Sequence, residues 1–252
     1  VESSAPVGST GMDPLKTDSL MSLEGIQALL NRLAPGGWLA VHRFLLPPPR
    51  GEMRLLATVI EVMRLKGWQA EQKLGVFRSL STLMMLVSRE SWTPEDSRRF
   101  SEFCLSRDFA PVYYPGMPET ERNTGIRLPE PVYTQGVQEL LADPPAFHAR
   151  TPFNLEPVSD DRPYFDLFLD WSRLHEIRMN LDGKWEGLVE AGLLVPLLFA
   201  AMSLISLILI GIPVLPRLRK LENAIPILLY FAGIGLAFML VEIALLEKLT
   251  TF

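Results

Sequence analysis

The sequence predicts an α/β domain followed by two membrane-spanning helices, and three observations carry that prediction. Two uncharged apolar blocks, Ala191 to Pro216 and Ala224 to Val241, dominate the C-terminal quarter. A span needs about 20 such residues to cross roughly 30 Å of hydrocarbon. Upstream, helical periods and β-rich runs follow the order helix, strand, helix, strand, strand, which closes many α/β sheets. A Pro35-Gly36-Gly37 turn leads straight into the apolar run Trp38-Leu39-Ala40-Val41.

The elements follow in order. Residues 1–18, rich in Gly, Ser, Pro and Asp, read as a loop. Ser22 caps a helix over 22–33, with Leu23, Ile26, Leu29, Leu30 and Leu33 on its apolar face. A strand over 38–43 follows the Pro-Gly-Gly turn and is punctuated by Pro47 to Pro49. A helix over 52–66 comes next, stopped by Gly67. Strands are expected at 69–77 and 82–88, paired antiparallel. Thr93-Pro94-Glu95-Asp96 combines a Thr cap, Pro at the first position and an acid three residues on. That helix runs to about Ser106 and buries Phe100, Phe103 and Cys104. From Ala110 onward prolines and aromatics break the periodicity, leaving one short helix near Val137 to Leu141 in an irregular extension. The resulting organisation is 1–109, a partial sheet domain; 110–187, extension and membrane-proximal linker; and 188–252, two spans at about 188–215 and 224–247.

Composition excludes several function classes. A formal charge of −5 with no dense Lys/Arg run argues against nucleic acid. Cys104 is the single cysteine, which removes a disulfide framework and makes it a core residue. His42, His148 and His175 stand far apart in sequence and match no metal-ligand spacing, so no metal is expected. Both ends read as cuts, so the chain is expected to be an internal piece of a longer protein.

Several stretches carry a family resemblance. Leu33-Ala34-Pro35-Gly36-Gly37-Trp38-Leu39 resembles the turn before the fifth strand of class I S-adenosylmethionine-dependent methyltransferase folds. Val1-Glu2-Ser3-Ser4-Ala5-Pro6-Val7-Gly8 resembles the end of the fourth strand of spermidine synthases. Ser159-Asp160-Asp161-Arg162-Pro163-Tyr164-Phe165 and the helix around Phe238-Met239-Leu240-Val241-Glu242 resemble a bacterial group of membrane-embedded, spermidine-synthase-like proteins. The resemblance implies the C-terminal half of a Rossmann-like sheet followed by transmembrane helices. The first strands and the Gly-rich nucleoside loop would precede Val1.

It also implies a chemistry. Glu2 stands where the family places the carboxylate that takes a proton from the attacking amine, which must be neutral to react. The family's second carboxylate is replaced by Ala5, so a dicationic amine would lose one counter-charge. Ser3 and Ser4 match positions able to contact an adenine or ribose edge. The implied cofactor is decarboxylated S-adenosylmethionine or S-adenosylmethionine itself. His42 leaves the 38–43 strand at the end where open α/β sheets bind ligands. Asp160 and Asp161 read either as ligands for a cationic substrate or as a salt-bridged hinge before the aromatics Tyr164, Phe165, Phe168 and Trp171, residue types that favour the headgroup level.

Three main functional readings stand at this point, with a transporter as a weaker fourth, since two helices do not make a pathway. The lead is aminopropyl transfer from a sulfonium nucleoside to an amine; the others are a catalytically silent structural or binding subunit of a membrane complex, and an S-adenosylmethionine-dependent methyltransferase. The expected partners are the lipid bilayer and the rest of the same chain or other membrane subunits. Glu242, a carboxylate inside the second apolar block, is expected to face another helix, since a charge at mid-bilayer costs roughly 2.5 kcal/mol or more. The expected location is a bacterial inner membrane. Arg217, Arg219 and Lys220 between the spans draw that loop to the cytoplasm, whereas nucleoside chemistry draws the soluble domain there; the reading follows the chemistry.

Overall fold

The computed structural model describes residues 17–45, 48–126, 128–180, 192–214 and 224–250. The chain divides into two units, Val1–Pro196 and Leu197–Phe252. The first carries an α/β arrangement around a four-stranded sheet.

Ser22 accepts a hydrogen bond from the backbone N–H of Gly25 and caps α1, Leu23–Asn31, whose Ile26 and Leu30 are buried. The chain then turns at Ala34 to Gly37, where Gly36 has a φ of 71°, a left-handed conformation that costs glycine least. The Gly37 N–H closes the turn on the Ala34 carbonyl at 2.9 Å. It enters β1, Trp38–Phe44. Helix α2, Gly51–Leu65, buries twelve of its fifteen residues and is the central helix of the unit. Gly67, with a φ of 69°, ends it.

The expected strand over 69–77 is in part a helix. Ala70–Lys73 form one turn, α3, and β2 occupies Leu74–Arg78. Helix-favouring Ala70, Glu71, Gln72 and Lys73 explain the difference; the β-favouring residues begin with Val76. β3 follows at Thr82–Ser88, then α4 at Pro94–Ser106, with the Thr93–Asp96 capping box formed. Phe100 and Cys104 are buried, but Phe103 is 43% exposed and packs edgewise on Phe77. A further strand, β4, Ala110–Tyr113, was hidden by Pro111 and lies at the sheet edge, where a missing N–H is tolerated.

The sheet order is β1-β3-β2-β4, with every neighbouring pair antiparallel. The expected antiparallel pairing of 69–77 with 82–88 is therefore present in β2 and β3. One face stacks in rows set by the register: Leu39, Val87 and Leu74; Val41, Met85 and Val76; Arg43, Leu83 and Arg78. All nine side chains are buried, in the core shared with α1 and α2. The other face carries a smaller cluster of Phe77, Trp92, Phe100, Cys104 and Tyr114 under α4. Gly75 makes room for it, since a Cβ there would stand 2.3 Å from Trp92.

The stretch read as an irregular extension supplies α5, Val132–Ala142, and α6, Pro144–Arg150. It then runs as a strap over 151–170 and ends in α7, Leu174–Asn180. Tyr133, Leu140, Phe153, Leu155, Phe165, Phe168 and Ile177 all join the main core. Of the four aromatics expected at headgroup level, Phe165 and Phe168 are instead buried, whereas Tyr164 and Trp171 are exposed.

A helix spans Leu194 to Val214, mostly in the second unit, and another, α9, spans Ala224–Thr250. The first, α8, is α-helical over Leu194–Ser206 and widens to a π-turn at Leu207–Gly211 just before Pro213. A widened turn absorbs the hydrogen bond that proline cannot donate. Leu194–Val214 and Ile225–Leu245 are long and apolar enough to cross a membrane by length and composition. The basic loop Arg217 to Lys220 lies outside the described residues.

Candidate functional site

The C-terminal ends of β1 and β2 lie at the same end of the sheet, because both strands are antiparallel to β3 between them. At this edge the rows change from apolar residues to the buried pair Arg43 and Arg78. Two buried guanidinium groups in a hydrophobic core must be matched by hydrogen bonds or charge.

Arg43 forms an ion pair with Asp166 of the strap, and its guanidinium lies 4.3 Å above the Phe165 ring. Arg78 donates to the Ile126 carbonyl and faces the Tyr133 ring at 5.7 Å. Burial lowers its pKa. Arg54, at the end of the first turn of α2, donates to the carbonyls of Phe165 at 2.6 Å and Leu167 at 3.0 Å. It also reaches Asn154 Oδ1 at 3.2 Å. Burial pulls this guanidinium down to about 10, with Asp166 opposing. Arg43 and Arg54 thus hold one irregular segment against the sheet and α2, while Arg78 ties the neighbouring strand end to Ile126 and Tyr133.

Glu52, in the first turn of α2, is completely buried. Tyr133 donates its hydroxyl to Glu52 Oε1 at 3.1 Å, and the Arg50 N–H reaches Oε2 at 3.4 Å. Desolvation outweighs these contacts and raises the carboxyl from 4.5 to about 7. The group therefore exchanges a proton near neutrality. Tyr133 is pushed well above its ordinary range, first by burial and then by Glu52.

The residues expected from sequence to form a site are located as follows where they are described. Glu2, Ser3 and Ser4, with Ala5, lie outside the described residues. His42 is half-buried on the sheet face opposite Arg43 and pairs in register with Met84. Asp160 sits at the N-terminus of α1: its Oδ1 accepts from the Ser22 hydroxyl at 2.6 Å, and its N–H donates to Glu24 at 2.9 Å. Asp161 is exposed beside it. Glu242 is exposed on α9, three residues before the end of the Ile225–Leu245 apolar span. Among the described residues the structure does not bring His42 and Asp160 together. Nor does any group of three His, Cys, Asp or Glu gather there in a way that would hold a metal ion.

Sequence reasoning missed Glu52, Arg54, Tyr133 and Asp166. For Glu52 and Arg54 the signal was present in α2: its apolar residues leave no continuous polar stripe, so charged residues inside it had to be buried or at an end. A second feature is a cleft of about 800 Å³ between α2, α6 and the strap. Glu61, Arg64, Glu156 and Arg173 edge it, with Ile60, Leu140 and Leu155 in its wall. His148 lines it, its Nδ1 buried with no hydrogen-bond partner among the described residues. Desolvation lowers this imidazole's pKa, against the opposing pull of Glu156.

Comparison with protein-family models, with curated proteins and with solved structures gives no match for this chain.

Proposed function

We propose that the first unit is the second half of a Rossmann-like, spermidine synthase-like domain held at a membrane by α8 and α9. Its reaction would be aminopropyl transfer from a sulfonium nucleoside to an amine. The observation that supports this most is the codirectional pair β1 and β2 joined through α2, a β-α-β unit of the kind parallel α/β sheets are built from. The Pro-Gly-Gly turn that opens it, with Gly36 in the left-handed region, agrees with the resemblance in the sequence.

In that reaction the neutral amine attacks the methylene beside the sulfonium and the carbon–sulfur bond breaks, releasing a thioether nucleoside. The proton lost from the new ammonium passes to a carboxylate, the role the resemblance gives Glu2. Ser3 and Ser4 would meet the nucleoside, which is decarboxylated S-adenosylmethionine on this reading. Since that nucleoside is a cytoplasmic molecule, the domain is assigned to the inner face of a bacterial inner membrane.

A second reading, a catalytically silent structural or binding subunit, is favoured by two observations. Ala5 supplies no second carboxylate, and Asp160 is engaged in capping α1. Calorimetric titration of the full chain with decarboxylated and ordinary S-adenosylmethionine separates the readings. Preference for the decarboxylated form supports aminopropyl transfer, and preference for the ordinary form supports a methyltransferase. Binding of neither by folded protein leaves the silent subunit.

A further inference from the structure

The segment from Trp171 to Asn180 begins as a single 3-10 turn, Trp171–Arg173, and continues directly into α7. Its inward side is settled: Ile177 is fully buried, and Leu174 packs on the same core. The outward side is unusual for a water-facing helix. Trp171 is 62% exposed and Met179 is 67% exposed. Ser172, His175, Glu176 and Arg178 are exposed with them. At α-helical spacing His175, Arg178 and Met179 fall within an arc of roughly 100° on the side away from Ile177, with Trp171 on the 3-10 turn that leads into it and Glu176 at its border. The 3-10 turn and the cap at Asp170, which accepts from the Ser172 N–H and hydroxyl, fix where this face begins.

We propose that this face, Trp171, His175, Arg178 and Met179, lies in the headgroup layer of the bilayer. The inference rests on the membrane reading given above. Its chemistry is that of an interfacial helix: an indole whose ring is apolar and whose N–H is polar, a flexible thioether, and a guanidinium that meets lipid phosphate. Chain continuity names the occupant. The apolar span begins at Leu194, and the fourteen residues from Asn180 to it reach at most about 50 Å fully extended. A second copy of the chain is the other candidate for an apolar face, and the absence of a continuous aliphatic stripe here disfavours it.

The test uses the full chain in phosphatidylcholine nanodiscs containing phosphatidylglycerol. A nitroxide is attached at Met179→Cys, at Leu204→Cys inside the first apolar span, and at Leu105→Cys on α4. Cys104 is buried, with its thiol pushed up to about 12, so wild type supplies the unlabelled blank. Collision of each label with oxygen, which enters lipid, is compared with collision with a water-soluble nickel chelate. The expected oxygen-to-nickel ratio at Met179→Cys is several-fold above that at Leu105→Cys and below that at Leu204→Cys. Adding Arg178→Glu should lower the Met179→Cys ratio. A Met179→Cys ratio equal to that of Leu105→Cys, with Leu204→Cys in lipid, overturns this inference alone. A water-like ratio at Leu204→Cys overturns the membrane reading itself. Restricted access to both probes at Met179→Cys, relieved on dilution, identifies a second copy as the occupant and also overturns it.

Discussion

Replacing Glu52 with Gln removes a titration that the fold places where it costs stability. Burial raises the carboxyl from 4.5 to about 7. Below pH 4.5 both folded and unfolded chains hold the proton, and the group is neutral in its comparison of states. Between these values the unfolded chain releases its proton while the folded chain keeps it, so stability falls as pH rises. Above pH 7 the loss is complete. At 1.36 kcal/mol per unit the loss totals about 3 kcal/mol. Gln keeps an acceptor for the Tyr133 hydroxyl without the charge. The Gln chain should therefore match wild type near pH 4.5 and exceed it at pH 8 by about 3 kcal/mol, or roughly 6–12 °C in melting midpoint for a domain of this size. Glu95, held down to about 2 by Arg98 and Arg99, titrates well below this window. Asp96 and Asp170 are also lowered, by hydrogen bonds from Thr93 and Ser172, and lose stability only as pH falls. Melting of the full chain in detergent, followed by tryptophan fluorescence from pH 4.5 to 8, measures the difference. A wild-type minus Gln difference that stays constant across that range refutes the buried, neutral carboxyl.

Gly75→Ala should destabilise by roughly 1–3 kcal/mol, because the added methyl meets Trp92 at 2.3 Å; a gain in melting midpoint, the usual result of filling an open strand glycine, would refute the contact. Arg54→Met should cost roughly 3 kcal/mol or more by leaving buried carbonyls unpaired, and hydrogen exchange over residues 159–168 should accelerate before the sheet opens. Asp160→Ala should cost about 1 kcal/mol as α1 loses its partner at Ser22, whereas Asp161→Ala should change the melting midpoint by less than half as much. Equal effects would contradict the unequal roles of these two carboxylates.

The elements with local signatures were legible. Ser22, Thr93 with Pro94 and Asp96, the Pro35-Gly36-Gly37 turn and Gly67 each act within a few residues, and each appears where the sequence put it. The boundary at Lys73 was missed because strand periodicity was extended over helix-favouring residues. Phe103 was misassigned because α4 buries only a narrow stripe, and the position before Cys104 falls at its edge. β4 was invisible because its Pro111 argues against a strand unless the edge is known beforehand.

The strap is the instructive failure, because its signal was not local at all. Asp166 has meaning only beside Arg43, and the Phe165 carbonyl only beside Arg54, more than a hundred residues away in each case. Residues 151–170 have little regular structure of their own, so their backbone groups must find partners elsewhere or stay in water. Arginine supplies those partners with several donors in one rigid fork, and Phe165 and Phe168 cover the guanidinium faces. The Asp160 to Phe165 motif is therefore read more economically as three anchoring points than as one binding site. Asp160 ties the strap to α1, the Pro163 carbonyl accepts from the Asp18 N–H, and Phe165 fills the core under Arg43. Asp160 is thereby committed to the cap of α1, while Asp161 beside it stays exposed.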